Sequence, residues 1–244
     1  MKCIKIFLFS ISLIFTNSVF ASTYMHYSID AIQKTSHELA LRTEIEAGRA
    51  TSRWSHAKEL LGPKYHKSVV KSGEKIADMD EMLTNWTNRA LKGRWKKYAR
   101  SVAQTIIQES DKYGFDPIFL MAVIENESSF NPEIIGTVGE IGLMQVTPDT
   151  GAWIAKIYNL PWKGKQQLKD PSYNIRIGAA YMAHLREEFD FEGQLYLAAY
   201  NMGSGNVRKA LGKQIRPKIY SSRVMLRYLR FYSELQKEVT KKID

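Results

Sequence analysis

The run Asp116-Pro117-Ile118-Phe119-Leu120-Met121-Ala122-Val123-Ile124-Glu125-Asn126-Glu127-Ser128-Ser129-Phe130-Asn131-Pro132 decides how this chain is read. It opens with an aspartate, a good helix cap, and a proline at the first helical position, where a missing N–H costs nothing. Ile118 to Ile124 is then apolar on every side, the pattern of a helix buried all round. The helix closes on two carboxylates. A carboxyl at such a place is partly desolvated, which disfavours its charged form. An acid that keeps its proton near neutral pH can give it to a leaving oxygen. Glu125 and Glu127 are two residues apart, about 200° around a helix, so they cannot both face one cleft. Spacing alone leaves either one readable as a solvated carboxylate at a helix end.

Working outward, the same start signal recurs. Thr147-Pro148 and Asp170-Pro171 predict helices over 148–158 and 171–189. Upstream, Val102, Ile106 and Ile107 share one side of a helix over 101–113 that stops at Gly114. Downstream, helices are expected at about 194–200 and 217–239, the last with Tyr220, Val224, Leu226, Tyr228, Leu229, Phe231, Tyr232 and Leu235 as apolar positions. Gly136, Gly139 and Gly142 permit tight turns, so a short hairpin is expected within 133–146. Before residue 100, Ile76, Met79, Leu83, Trp86 and Ala90 recur at helical spacing. Leu39, Leu41 and Ile45 suggest an earlier helix, and Gly62-Pro63 breaks the chain between them. Strand signals are nearly absent, and the fold class is all-α.

The 244 residues are 44% apolar, enough to bury a core and too mixed for a multispan membrane protein. The single cysteine, Cys3, excludes a disulfide framework and a Cys₂His₂ zinc site. No ligand cluster suggests a metal or an organic cofactor, and none is expected. Lys2 and Lys5, the apolar run Ile6–Phe15 and Ser18-Val19-Phe20-Ala21 read as a secretory signal peptide over 1–21. The chain is therefore expected to be exported. A formal charge of +10 keeps nucleic acid, a membrane surface and an acidic polymer in view as partners. Arg89, Lys92, Arg94, Lys96, Lys97 and Arg100 stand together with Trp95 and Tyr98 between them. That stretch is a polyanion contact or simply a solvated face.

Four motifs then occur in order. They are Glu127-Ser128-Ser129-Phe130-Asn131-Pro132, Gly139-Glu140-Ile141-Gly142-Leu143-Met144-Gln145-Val146-Thr147-Pro148, Asp170-Pro171 with Asn174, Ile175, Gly178 and Tyr181, and Ala198-Ala199-Tyr200-Asn201-Met202-Gly203-Ser204-Gly205. Over about residues 98–235 the chain resembles the soluble lytic murein transglycosylase (SLT) domain, related to goose-type lysozyme. The resemblance implies a lysozyme-like helical catalytic domain over 98–244, preceded by a helical accessory region over 22–97. It implies cleavage of the β-1,4 bond between N-acetylmuramic acid and N-acetylglucosamine in periplasmic peptidoglycan. It also implies an anhydromuramic product made by a single carboxylate.

By the same resemblance that carboxylate is Glu127. Ser128 would contact substrate or steady the site. Met144 and Gln145 would line the sugar cleft, and Tyr200 and Asn201 would hydrogen-bond Glu127 and the reacting sugar. Tyr220 is a further candidate over the cleft, while Asn174, Ile175, Gly178 and Tyr181 read as scaffold. The family often has Ser at the position of Gly136 and Ala at that of Glu140. Glu140 thus adds a carboxyl near the cleft, which raises the alternative of a hydrolysing muramidase. The family's Pro-x-x-Glu-Thr near the C-terminus is replaced by Pro217-Lys218-Ile219-Tyr220-Ser221-Ser222-Arg223-Val224. Another alternative makes the chain a wall-opening accessory of a secretion machine, with 22–97 docking an envelope protein.

Charge is unevenly spread. Residues 22–100 carry a net +6, residues 101–192 a net −6 and residues 193–244 a net +8. The basic flanks are expected to hold the chain on its polymer or on a membrane face. Export argues against nucleic acid.

Overall fold

In a computed structural model the described residues are 47–73 and 79–243, with Thr35, Thr43 and Glu44 before them. The expected signal segment, and the apolar positions Leu39, Leu41, Ile45 and Ile76, lie outside the described residues. The chain divides into two compact units, 1–48 and 49–244, and the elements that carry the site all lie in the second.

Residues 49–61 are helical (α1) and a 3-10 turn, Gly62–Lys67, comes next at the expected break. Then come α2 (Val69–Ser72), α3 (Met79–Ala90), a 3-10 turn Gly93–Tyr98, α4 (Ala99–Tyr113) and α5 (Pro117–Ser128). After a loop come α6 (Pro148–Ile157), a 3-10 turn Lys165–Lys169, α7 (Pro171–Glu188), α8 (Gly193–Met202), α9 (Ser204–Gly212) and α10 (Ile219–Ile243). The described residues hold no strand. In place of a full hairpin, the 133–146 loop has two isolated antiparallel bridges, Ile135 with Ile141 and Ile141 with Val146.

The three proline starts work as read. The side chains of Asp116, Thr147 and Asp170 accept backbone N–H bonds from Ile118, Thr150 and Tyr173. Every residue from Pro117 to Ile124 is buried. This makes α5 the axis of the fold, packed between α10 and α4, while α7 packs on α4, α6 and α8. α9 has no counterpart among the helices expected from the sequence. Gly203 does break the helix at φ 81°, but a new one starts at once.

Residues 49–97 belong to the same unit as the helices after them. In α1, His56 is fully buried, and its Nδ1 accepts the N–H of Asp116 at 3.0 Å. That bond fixes the tautomer: Nε2 carries the hydrogen and donates to the Tyr196 hydroxyl at 3.0 Å. Glu59, one turn on, is clasped by the Arg186 guanidinium of α7, with Nε 3.0 Å from both carboxylate oxygens. From α10, the hydroxyls of Tyr228 and Tyr232 each donate to Asp116 Oδ2 at 2.6 Å. The cap of α5 is thus a buried node joining α1, α5 and α10. From α3, Trp86 stands edge-on to Phe231 of α10 at 4.5 Å.

Candidate active site

Glu127 sits in the last turn of α5, where the fully buried run gives way to half-buried residues. Its carboxyl is mostly enclosed, and burial pushes its pKa above the ordinary carboxylate value. Hydrogen bonds from Tyr220 and Asn126 and the charge of Arg223 pull the other way, and the charge of Glu140 adds to the rise. The Tyr220 hydroxyl donates to Oε1 at 2.5 Å, and Asn126 Nδ2 donates to the same oxygen at 3.3 Å. Both donors use Oε1, so a proton on this acid resides on Oε2. Tyr220 is itself buried and its hydroxyl pKa is pushed well up, mainly by burial and then by Glu127, so it stays a donor. Glu125, on the other side of α5, pairs with Arg230 of α10 at 3.2 Å. The two carboxylates face different surroundings, as their spacing requires.

Backbone strain frames the acid. Ser129 (φ 50°), Phe130 (φ 60°) and Gln145 (φ 49°) are non-glycine residues in the left-handed region. Such conformations persist only where packing enforces them, commonly at functional sites. The enforcing contacts are polar. Ser128 Oγ is buried, 2.8 Å from the Leu143 carbonyl and 3.1 Å from that of Ile124, which ties the end of α5 to the 133–146 loop. Asn174 of α7 closes the loop from beneath: Oδ1 accepts the Met144 N–H at 2.7 Å, and Nδ2 donates to the carbonyls of Ile141 and Leu168.

The structure places the expected site residues as follows. Ser128 is buried with its hydroxyl on the Leu143 and Ile124 carbonyls, the steadying half of the expectation. Met144 is fully buried, and its side chain fills the space over Gly178, where a β-carbon would lie 2.6 Å from Sδ. It is core, not cleft lining. Gln145 is half-exposed, but both its amide hydrogens go to loop carbonyls, of Gly142 at 2.9 Å and Ile134 at 3.2 Å. Its Oε1 lies over Gly136, 2.9 Å from where a β-carbon there would sit. The Tyr200 hydroxyl donates to the Met144 carbonyl at 2.8 Å and not to Glu127, because α8 aims it at the loop. Tyr220, from α10, holds the acid instead. Asn201 is exposed at the end of α8. Among the described residues, no group of three or more His, Cys, Asp or Glu is placed to hold a metal ion.

A family model for the transglycosylase SLT domain matches residues 104–222. Residues 104–222 belong to the SLT transglycosylases. The chain is 38% identical over 95 residues to the soluble lytic murein transglycosylase of Salmonella typhimurium, covering 38% of this chain and 15% of that protein. It is 30% identical over 133 residues to membrane-bound lytic murein transglycosylase C of Haemophilus influenzae, covering 50% of this chain and 37% of that one. This chain therefore spans well under two thirds of either relative. A solved structure of an inactive mutant of the lytic transglycosylase Slt from Pseudomonas aeruginosa superposes with a TM-score of 0.49 at 23% identity. That match covers 69% of this chain and 32% of the other.

Every site residue named from the sequence lies inside the SLT region. The node that caps α5 reaches beyond it: Asp116 is inside, but His56 and Glu59 precede the match, and Tyr228 and Tyr232 come after it. No local pattern announced His56. A histidine among helical residues is unremarkable until the fold sets it against an N-cap 60 residues away.

Proposed function

We propose that this chain is a peptidoglycan lytic transglycosylase that cuts the β-1,4 bond between N-acetylmuramic acid and N-acetylglucosamine. What carries the reading is the mostly buried Glu127, with Oε1 tied by Tyr220 and Oε2 left to hold a proton. The SLT match and the murein transglycosylase names of its relatives support the substrate class.

The chemistry follows from one carboxyl. Glu127 gives its proton to the glycosidic oxygen as the bond from the muramic C1 to that oxygen breaks. The carboxylate then takes the proton of the C6 hydroxyl of the same sugar, and O6 closes on C1. The product ends in 1,6-anhydromuramic acid, and Glu127 regains its proton. An internal nucleophile is already in place, so no second carboxylate is needed to activate water. Tyr220 keeps the carboxyl in one orientation through both steps. Export to the periplasm, and a grip on polymer or membrane through the basic flanks, complete the proposal.

Glu127→Gln keeps size and removes the acid. Release of soluble fragments from purified wall sacculi is expected to fall at least a thousandfold, roughly the loss when a general acid is deleted. Mass spectra of wild-type products should show ends one water lighter than a hydrolysed end. Reducing ends alone would replace this reading with the muramidase one.

A further inference from the structure

The basic turn that follows α3 forms one wall of a cavity of about 630 Å³. The facing wall is 129–133, the stretch that leaves α5. A space of that size takes a small-molecule-sized group. Ser129 comes two residues after Glu127, and two residues of chain span at most about 7 Å, so this wall begins beside the acid. Along it the residues alternate. Phe130 and Pro132 are buried, while Ser129, Asn131 and Glu133 are exposed. Asn131 Oδ1 accepts the Glu133 N–H at 3.0 Å, and its amide hydrogens have no partner among the described residues.

Arg94 joins the two walls. Its guanidinium lies over the Trp95 ring, 5.1 Å from the centroid, and Nη2 pairs with the Glu133 carboxylate opposite. Ring and carboxylate hold the fork in one place. Nε and Nη1 have no partner among the described residues. A guanidinium offers its donors in a flat array that matches a carboxylate. Lys92 spends one ammonium hydrogen on the Arg89 carbonyl at 2.6 Å and keeps two. Two cations and one acid give the cavity a positive balance.

We propose that this cavity is a subsite for the peptide stem of the wall strand, held through its carboxylates by Arg94 and Lys92. The proposal rests on the peptidoglycan reading above. The stem hangs from the muramic sugar, the ring whose C1 bond is cut at Glu127. A strand seated for cutting therefore carries its peptide next to the acid, where the 129–133 wall begins. The Asn131 amide supplies donors for a peptide carbonyl. The wall built from 90–95 lies before the SLT match, which starts at residue 104. The segment before residue 98 thus adds a substrate contact to its packing role.

The test compares glycan strands that keep their stems with the same strands after an amidase has removed them. In the full chain, Arg94→Gln/Lys92→Gln should raise KM for stem-bearing strands about three- to tenfold, the scale of two exposed charged contacts. The kcat should hold, and KM for bare strands should not move. Arg94→Lys keeps the charge without the fork and should fall between wild type and Arg94→Gln. Both side chains are exposed, so these variants are expected to fold. An unchanged KM on stem-bearing strands overturns the proposal. So does an equal rise on both substrates, which marks a general attraction of basic residues to the polymer. Binding of the amidase-released peptides to the Glu127→Gln chain needs no turnover. Nitrogen-15 NMR should show shifts concentrated at 92–95 and 129–133 that weaken in the Arg94→Gln/Lys92→Gln background. No shifts there, or shifts elsewhere, overturn the subsite even where strands are cut. Strands left whole by the wild type while the peptides bind here would overturn the enzymatic reading and leave the peptide site standing.

Discussion

The bond between Tyr220 and Glu127 sets how this acid behaves. It favours the ionised carboxylate, so it works against burial. Tyr220→Phe should move the basic limb of the pH–rate profile to higher pH. A hydrogen bond to a charged group contributes about 1.5–3 kcal/mol, so the rate should fall roughly ten- to a hundredfold. A pH–rate series on that variant checks both, and a limb that moves down would remove Tyr220 from its place. The seven apolar residues in a row marked the end of this helix as a place for a desolvated carboxyl, and the resemblance to the SLT domain, not the spacing, chose Glu127 over Glu125. The partner of Glu127 was not legible. Tyr200 and Tyr220 are both tyrosines on helices that reach the site, and only the packing angles of α8 and α10 show which hydroxyl meets the acid. Met144 misled for a similar reason: a flexible side chain beside a glutamine suits a cleft or a core, and only the missing β-carbon of Gly178 shows which.

Among the elements, helices that open with a cap and a proline were the easiest to place, since each signal is local. The role of α1 was invisible, because its contacts are made by single polar residues with distant partners. His56 must be neutral to accept the Asp116 N–H, and burial, then Arg186, hold its pKa well below 6.5. The unfolded chain therefore binds the proton first. The stability this node contributes is complete above pH 6.5 and is lost progressively as pH falls below it, towards the depressed folded value. Asp116 works in the opposite sense, since its raised pKa favours folding as pH falls. The His56 share is the difference between wild type and His56→Gln. Thermal melts at about pH 8 and about pH 5 should show a drop in the wild type that is smaller in the variant. Equal drops would show that His56 carries no pH dependence.

For the whole molecule, the SLT match ends short of the packing. Residues 49–97 supply His56, Glu59 and Trp86 to the unit that holds Glu127. A chain starting at residue 98 should lose cooperative melting and at least tenfold in activity, since several buried polar groups, at about 1–3 kcal/mol each, lose their partners. Circular dichroism melts and sacculus assays check this. A stable, fully active fragment would make the segment a detachable docking module. That region was hard to read because its folding role is spread over residues no motif links. Its basic character, by contrast, was plain from the charges. One consequence concerns the order of synthesis. The bonds from α10 to Glu127 and to Asp116 span 93, 112 and 116 residues, and each donor is made well after its acceptor. A nascent chain that has emerged only as far as α9 has an acid without its tyrosine and an α5 cap without two of its donors. Such long-range contacts form late. An acid whose orientation waits on a residue 93 positions downstream is assembled only when the fold closes, so a partly folded chain lacks the arrangement proposed for cutting.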